Sequence, residues 1–315
     1  MPELPEVEIV RRKLAPLLEG RKISAVRTGK PSYFFLTPPK TLIEKLEGRT
    51  VRTLKRHGKY LISQLDDGST LLWHLGMTGQ LLVQGAMTPR HTSTPKHAAT
   101  STGRTNAHKK ETRQSLLSRA YRPELTRTPK VATPDPHVHL VLEFADRGPS
   151  IAFRDVRKFG KCRWLKPGVL DPRLKKLGVD ALEVTGAQLF EKMRKRSAPI
   201  KSVLLDQGVL AGVGNIYADE ALFLSKLRPT RAARSYSRSQ VNFLATNVQA
   251  ILAKSIELGG SSISDYLHPD GEGGGFQQTF AVYGREGEPC SECGGPIARE
   301  VLGQRSTHFC PKCQR

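Results

Sequence analysis

The chain has 315 residues, enough for two or more domains whose cores need no disulfide staple. Lys and Arg total 50 against 29 Asp and Glu, giving a net charge of +21 and a pI near 10, so a polyanion is the default partner. No stretch approaches 18 consecutive apolar residues, which excludes a membrane-spanning helix, and the acidic start without an apolar run predicts no secretory signal. The expectation is an intracellular protein that faces nucleic acid.

The chain opens MPELPEVEIV. A small residue such as Pro2 behind Met1 normally permits removal of the initiator methionine. That would leave a secondary amine beside the Glu3 carboxylate, and amines form Schiff bases with carbonyl carbons. The same letters also start a helix, with Pro5 suited to a first helical position and Glu6 and Glu8 to the positive end of the dipole. Val7, Val10, Leu14, Leu17 and Leu18 continue at helical spacing to about residue 18. Taken alone, these ten residues leave both readings open.

Short β-type runs follow: KISAVRTG, RTVRTLKRHGKYLISQL, STLLWHLGMTGQLLV, VHLVLEF, PSIAFRDV and KCRWL, punctuated by turns such as Asp66-Asp67-Gly68. Many short strands without intervening helices predict an antiparallel sandwich or barrel. Residues 84–136 interrupt them. This segment is rich in Thr, Ser, Pro and His, and its ten Lys and Arg against three Asp and Glu supply +7 of the +21. It predicts a disordered basic insertion, and the polyanion argument survives without it. Cys162 stands apart from the other cysteines and reads as a small buried thiol.

From about residue 180 the period becomes helical, in ALEVTGAQLFEKMRKR, IKSVLLDQ, NIYADEALFLSKL and SQVNFLATNVQAILAKSIELGG. Asp219 and Glu220 read as helix-start punctuation, and Gly259-Gly260 as a stop. A β-rich half followed by a helical half predicts an α+β chain with separate domains. The tail carries Cys290, Cys293, Cys310 and Cys313 as C-x2-C-x16-C-x2-C, the spacing of a four-thiolate structural zinc site. Such a site has no open coordination position, so this zinc folds the tail and takes no part in chemistry. The intervening GPIAREVLGQRSTHF predicts a β-hairpin with Arg305 at its tip, suited to a phosphate.

PELPEVE at 2–8, KYL at 59–61, HLGMTGQL at 74–81, DVRKFG at 155–160, LLDQGVLAGVGNIYADEALF at 204–223 and the tail from QTFAVYGREGEPC to HFCPKCQ converge. Together they resemble the bacterial formamidopyrimidine-DNA glycosylase family, over nearly the whole chain apart from 84–136. The resemblance implies an N-terminal helix plus antiparallel β-sandwich, a helix-two-turn-helix domain and a zinc-finger hairpin. The corresponding divisions are 1–178, 179–275 and 276–315. It implies a monomeric, bifunctional DNA glycosylase and abasic-site lyase in the bacterial cytoplasm and nucleoid, acting on double-stranded DNA with oxidised purines or abasic sites. DNA would lie in the positive cleft between the first two divisions.

By the same resemblance Pro2 is the nucleophilic amine, Glu3 the acid at the sugar ring, Glu6 a nearby carboxylate, Lys59 a site cation and Arg305 the hairpin arginine of the second elimination. His74 and Asn215 match phosphate-gripping residues, and the turn before Asn215 suits phosphate electrostatically as well. Met77, Arg157 and Phe159 match the residues that fill the hole left by base extrusion, although Met77 alone reads as a core methionine. GEGGGFQQTF at 271–280 matches the loop over the everted base. Arg196 and Lys201 are candidate phosphate contacts, and His137 is the nearest match to a histidine expected just before VHLVLEF.

Two rivals share features. Endonuclease VIII-like glycosylases, which prefer oxidised pyrimidines, have the same N-terminal proline, but Leu4 and the set Met77, Arg157, Phe159 favour the purine branch. An inactive zinc-ribbon binder would be expected to have lost Pro2, Glu3 or Lys59. Membrane-surface binding ranks last, because the first helix opens with acids.

Overall fold

A computed structural model describes residues 2–85, 135–262 and 268–315. The expected basic insertion therefore lies, apart from its ends, outside the described residues, as does Met1.

Helix α1 (Leu4–Leu18) begins with the Glu3 N–H donating to Glu6 Oε2 at 2.8 Å, and Pro5 stands in its first turn. Its two faces serve different cores. Val7, Val10, Leu14 and Leu18 join the sandwich core, whereas Leu4 and Ile9 join the helical core. The catalytic helix of the family resemblance is thus the seam of the molecule.

β1 (Ile23–Thr28) is followed by helix α2 (Pro39–Leu46), which the pattern of short strands did not predict. Two buried leucines, Leu42 and Leu46, suffice to dock these eight residues against the sandwich core. Strands β2 (Val51–His57), β3 (Tyr60–Leu65), β4 (Thr70–His74), β5 (Gly79–Gln84), β6 (Val138–Phe144), β7 (Ser150–Asp155) and β8 (Lys161–Leu165) complete two four-stranded sheets. Their orders are β1-β6-β7-β5 and β2-β3-β4-β8, antiparallel throughout. Alternate residues such as Leu61, Trp73, Leu142 and Phe153 face inward, and Trp73 stacks on Phe153 at 6.0 Å. Each such side chain contributes about 1.5–3 kcal/mol by leaving water. Cys162 is a fully buried member of this core, where burial pushes its thiol pKa up.

A short helix α3 (Pro172–Lys175) and strand β9 (Val179–Asp180) lead into the helical part. There α4 (Gly186–Met193), α5 (Ile200–Leu205), β10 (Leu210–Ala211), α6 (Asn215–Leu224) and α7 (Arg238–Glu257) surround Tyr217 and Leu222. α4 and α7 start on Thr185 and Ser237, each accepting an N–H from the third residue on. The tail forms a hairpin of β11 (Ala298–Leu302) and β12 (Arg305–Phe309) over a small core of Phe223, Val282, Cys290, Ile297 and Cys310. Its two-residue turn, Gly303-Gln304, has φ of 52° and 65°, the mirror-image turn that matches strand twist.

Asp219 and Glu220 are not punctuation. Both are buried, and Glu220 accepts the backbone N–H groups of Ala281, Val282 and Tyr283 at 2.8–3.0 Å. Asp219 accepts the His308 N–H at 2.9 Å and pairs with Lys201 at 2.7 Å. These two carboxylates fasten the tail to α6. Lys201 is likewise no solvated phosphate contact: it is 1% exposed, and its ammonium also donates to Ser306 O and Thr307 Oγ1.

Candidate active site and DNA-binding face

The start of α1, the β2–β3 turn and the start of α6 meet at one corner. Pro2 and Glu3 are buried there. Glu3 Oε1 accepts the Ile216 N–H at 3.0 Å, from the first turn of α6, while its Oε2 has no hydrogen-bond partner among the described residues. This approach requires glycine. A Cβ on Gly214 would overlap the Glu3 carboxyl, and one on Gly212, at φ +110°, would overlap Leu4. The Leu4 N–H also donates to Gly212 O at 3.0 Å. The GVG turn in the sequence is therefore a mould for the N-terminus.

Burial pushes the Glu3 carboxyl up to about 7, against the lowering pull of the Lys59 charge and with a raising contribution from Glu6. Lys59 is 9% exposed and has no hydrogen-bond or ion-pair partner among the described residues. Burial lowers its pKa, partly offset by Glu3 and Glu6, and Arg305 lowers it further. A carboxyl that holds a proton near neutrality beside an uncommitted amine can exchange protons with a substrate at pH 7. Glu6 is spent on structure: it accepts the Tyr217 hydroxyl at 2.6 Å and the Ser261 N–H at 2.8 Å, joining α1 to α6 and to the segment that follows α7.

A second network fixes the turn that carries Lys59. Arg56, 8% exposed, binds Glu8 at 3.0 Å and Asp180 at 2.6 and 3.1 Å, and donates to Gly58 O at 3.0 Å. Asp180 in turn accepts the Gly58 N–H at 2.8 Å. Burial would raise the Glu8 pKa, but Arg11, Arg12 and Arg56 outweigh it and hold the carboxyl at about 2. Sequence reading missed Arg56 and Asp180, which lie 124 residues apart, and nothing local in either stretch marks the pair.

Asn215 opens α6, donates to Ser306 O at 2.9 Å, and so meets the hairpin beside exposed Arg305. His74 ends β4. Met77 and Phe159 are 41% and 43% exposed, and the Arg157 guanidinium lies 4.9 Å from the Phe159 ring centroid. The core reading of Met77 is thereby corrected: the turn after β4 lifts it into solvent on the same side as the Val156–Gly160 loop. Gly76, in that turn, would strike Phe159 and Gly160 with a Cβ. His137 lends its carbonyl to the Asp155 N–H, whereas His139, two residues on, is buried against Asp155 O. Arg196 is on the surface, 3.4 Å from Asp206 and away from the corner's bonded network.

The four tail cysteines have sulfurs within 4.8 Å of one another, with Cys293–Cys310 at 3.5 Å and Cys290–Cys313 at 4.0 Å. Zn–S bonds of about 2.3 Å set tetrahedral edges of about 3.8 Å, so this donor set fits one zinc ion. Disulfide sulfurs, at about 2.05 Å, would be far closer.

Comparison with known proteins bears on the whole length. The formamidopyrimidine-DNA glycosylase N-terminal domain model matches residues 1–162, its H2TH domain model residues 177–266, and the zinc finger found in FPG and IleRS residues 287–315. The chain belongs to the formamidopyrimidine-DNA glycosylase family. Family enzymes of Cereibacter sphaeroides and Paracoccus denitrificans are each 38% identical, with both chains covered completely. The crystal structure of MutM (Fpg) from Thermus thermophilus is 35% identical with a TM-score of 0.76, over 99% of this chain and 98% of that one. A Lactococcus lactis Fpg variant bound to Fapy-dG-containing DNA is 33% identical with a TM-score of 0.78, and both chains are fully covered. The Fpg-type fold, the helix-two-turn-helix and the one-zinc tail of this chain are those of the family.

Proposed function

We propose that this chain is a base-excision repair enzyme that removes oxidised purines from duplex DNA and then cleaves the abasic strand. The observation that carries the reading is the corner where Pro2, a protonated-range Glu3 and an uncommitted Lys59 sit against the Gly212–Asn215 mould. After Met1 is removed, the Pro2 amine attacks C1′ of the damaged nucleotide, the base leaves and an iminium joins protein to sugar. Glu3 gives its proton to the opening sugar ring. The iminium draws electrons from C2′, a proton is lost there, and the 3′ phosphate departs; a second elimination expels the 5′ side. Lys59, its pKa lowered, takes up the proton lost in the elimination, and the Arg305 guanidinium screens the departing phosphates. An N-terminal amine, ordinarily titrating at about 7.7–8.0, is free base far more often at pH 7 than a lysine near 10.4.

His74 and Asn215 grip flanking phosphates, and Met77, Arg157 and Phe159 fill the vacated stack, with Arg157 facing the orphaned base. His137 and Arg196 make the outer backbone contacts. The relatives whose structures contain Fapy-dG or abasic-site DNA support this substrate class. Cys290, Cys293, Cys310 and Cys313 hold the zinc, which keeps the Arg305 hairpin folded. The working division is 1–178 for catalysis, 179–275 for DNA binding and 276–315 for the zinc finger, in a monomer of the bacterial cytoplasm and nucleoid. No membrane is involved in this reading; no helix among the described residues is long and apolar enough to cross one. Excision assays on duplexes carrying 8-oxoguanine opposite cytosine, or an oxidised pyrimidine, test the assignment. Faster release of 8-oxoguanine is expected; preference for the pyrimidine would move the chain to the sister class.

A further inference from the structure

Outside the catalytic corner, one end of the β2-β3-β4-β8 sheet carries a pocket of which the reading above uses His74 alone. Tyr60, His74 and Lys161 are successive register partners on β3, β4 and β8, so their side chains stand in one row on one face. Leu72 and Arg163 form the next row on that face, and Leu36 and Arg173 complete the walls. The Tyr60 and His74 rings are 4.6 Å apart.

The charges in this pocket do not balance. Arg163 is paired with the buried Asp171 at 3.0 Å. Arg173 has no side-chain partner among the described residues, and the Lys161 ammonium has a 3.5 Å contact to Lys158 O, the face of the Tyr33 ring and the attraction of the Asp155 charge, but no ion pair. Two positive charges therefore remain uncommitted. His74 adds a directed donor: its Nδ1 accepts the Gly76 N–H at 3.1 Å, so the neutral ring carries its proton on Nε2. Burial first, and then Lys59, Lys161 and Arg173, keep this ring neutral by holding its pKa at about 4.

We infer that this pocket is an anion site for a backbone phosphodiester of the bound DNA, with His74 Nε2–H, Lys161 and Arg173 as its donors and the Tyr60 ring as its wall. It extends the phosphate grip proposed for His74 and rests on the DNA-binding reading. Its position argues for DNA over a free anion. Lys161 lies 4.5 Å from the Tyr33 ring centroid, and Tyr33, 57% exposed, donates its hydroxyl to the Arg157 carbonyl at 2.8 Å. The pocket therefore adjoins the loop bearing Arg157 and Phe159 on one side and the strand that follows Lys59 on the other. Lys161 and Arg173 thus act as strand-positioning residues.

The test is the salt dependence of affinity for an undamaged duplex, read by fluorescence anisotropy. Each phosphate contact contributes about −0.9 to the slope of log K against log salt. Over a roughly fourfold rise in salt the wild type should therefore lose about 3.5-fold more affinity than Lys161→Gln or Arg173→Gln. Lys161→Arg should keep the wild-type slope. Lys175→Gln, which removes a charge from the same short helix without lining the pocket, should keep it too. Unchanged slopes in both pocket variants overturn the inference, as does an equal change in Lys175→Gln, which would mean general electrostatics. Inorganic phosphate that shifts the His74 NMR signals of the free protein, with unchanged DNA slopes, would make this a free-anion site and also overturn it. Failure of the wild type to bind any duplex would instead remove the underlying DNA-binding reading.

Discussion

Among the described residues, Lys201 and Lys59 are two buried lysines set beside carboxylates, and the two associations are built differently. Lys201 is fully paired: Asp219 at 2.7 Å, Ser306 O at 2.6 Å and Thr307 Oγ1 at 3.0 Å take all three of its donors. Lys59 and Glu3 influence each other's charge, yet Lys59 has no bonded partner among the described residues and one Glu3 oxygen is unsatisfied. Burying charge without satisfying it costs free energy, and a fold that bears this cost at one place and avoids it at another separates function from structure. The Lys201 pair binds the zinc hairpin to α5 and α6. The Lys59 association leaves hydrogen bonds unmade, as its proposed part in catalysis requires.

Neutralising each lysine should therefore give opposite outcomes. Lys201→Met leaves the buried Asp219 without its lysine partner, with the His308 contacts alone, and should cost about 3–5 kcal/mol in urea denaturation. Lys59→Met removes an unpaired buried charge, so stability should stay the same or rise while strand cleavage falls by about 10²–10⁴. Equal destabilisation by both would erase the distinction between the two associations.

A smaller effect is expected in the pH profile of stability. The native chain keeps the Glu3 proton from about pH 4.5, where the unfolded carboxyl loses it, up to about 7. Stability from this group therefore falls as pH rises through that window, by about 3 kcal/mol in all at about 1.36 kcal/mol per unit. His74 acts with the opposite sign. The unfolded imidazole takes a proton below 6.5 that the native ring refuses until about 4, so its contribution falls as pH drops. The two slopes oppose each other between about 4.5 and 6.5. Glu3→Gln should remove the first and leave stability rising with pH there; superimposable profiles for wild type and variant would contradict the Glu3 environment described above.

Local signals carried much of this in the sequence. The cysteine spacing, the alternating strands and the Gly212-Val213-Gly214 turn before α6 are short-range patterns, and the motifs from Pro2 to Arg305 resembled one family. What the sequence hid was long-range pairing. Asp219 and Glu220 look like helix-start acids because their partners are supplied by α5 and by residues 281–308. Lys201 reads as a surface cation until Asp219 is brought to it. Met77 resembles a core residue because its exposure is decided by the Gly76 turn against Phe159 and Gly160. Helix α2 is eight residues with two core leucines, below the length at which periodicity separates helix from strand.

The most direct test of the central claim is borohydride trapping on a duplex with 8-oxoguanine opposite cytosine, comparing wild type with Pro2→Gly and Glu3→Gln. The account predicts a covalent protein–DNA adduct whose mass places the linkage on the N-terminal residue, with both variants trapped far more slowly or not at all. An adduct that forms at wild-type rate in Pro2→Gly and maps to Lys59 would show that the buried lysine, and not the N-terminal amine, is the nucleophile.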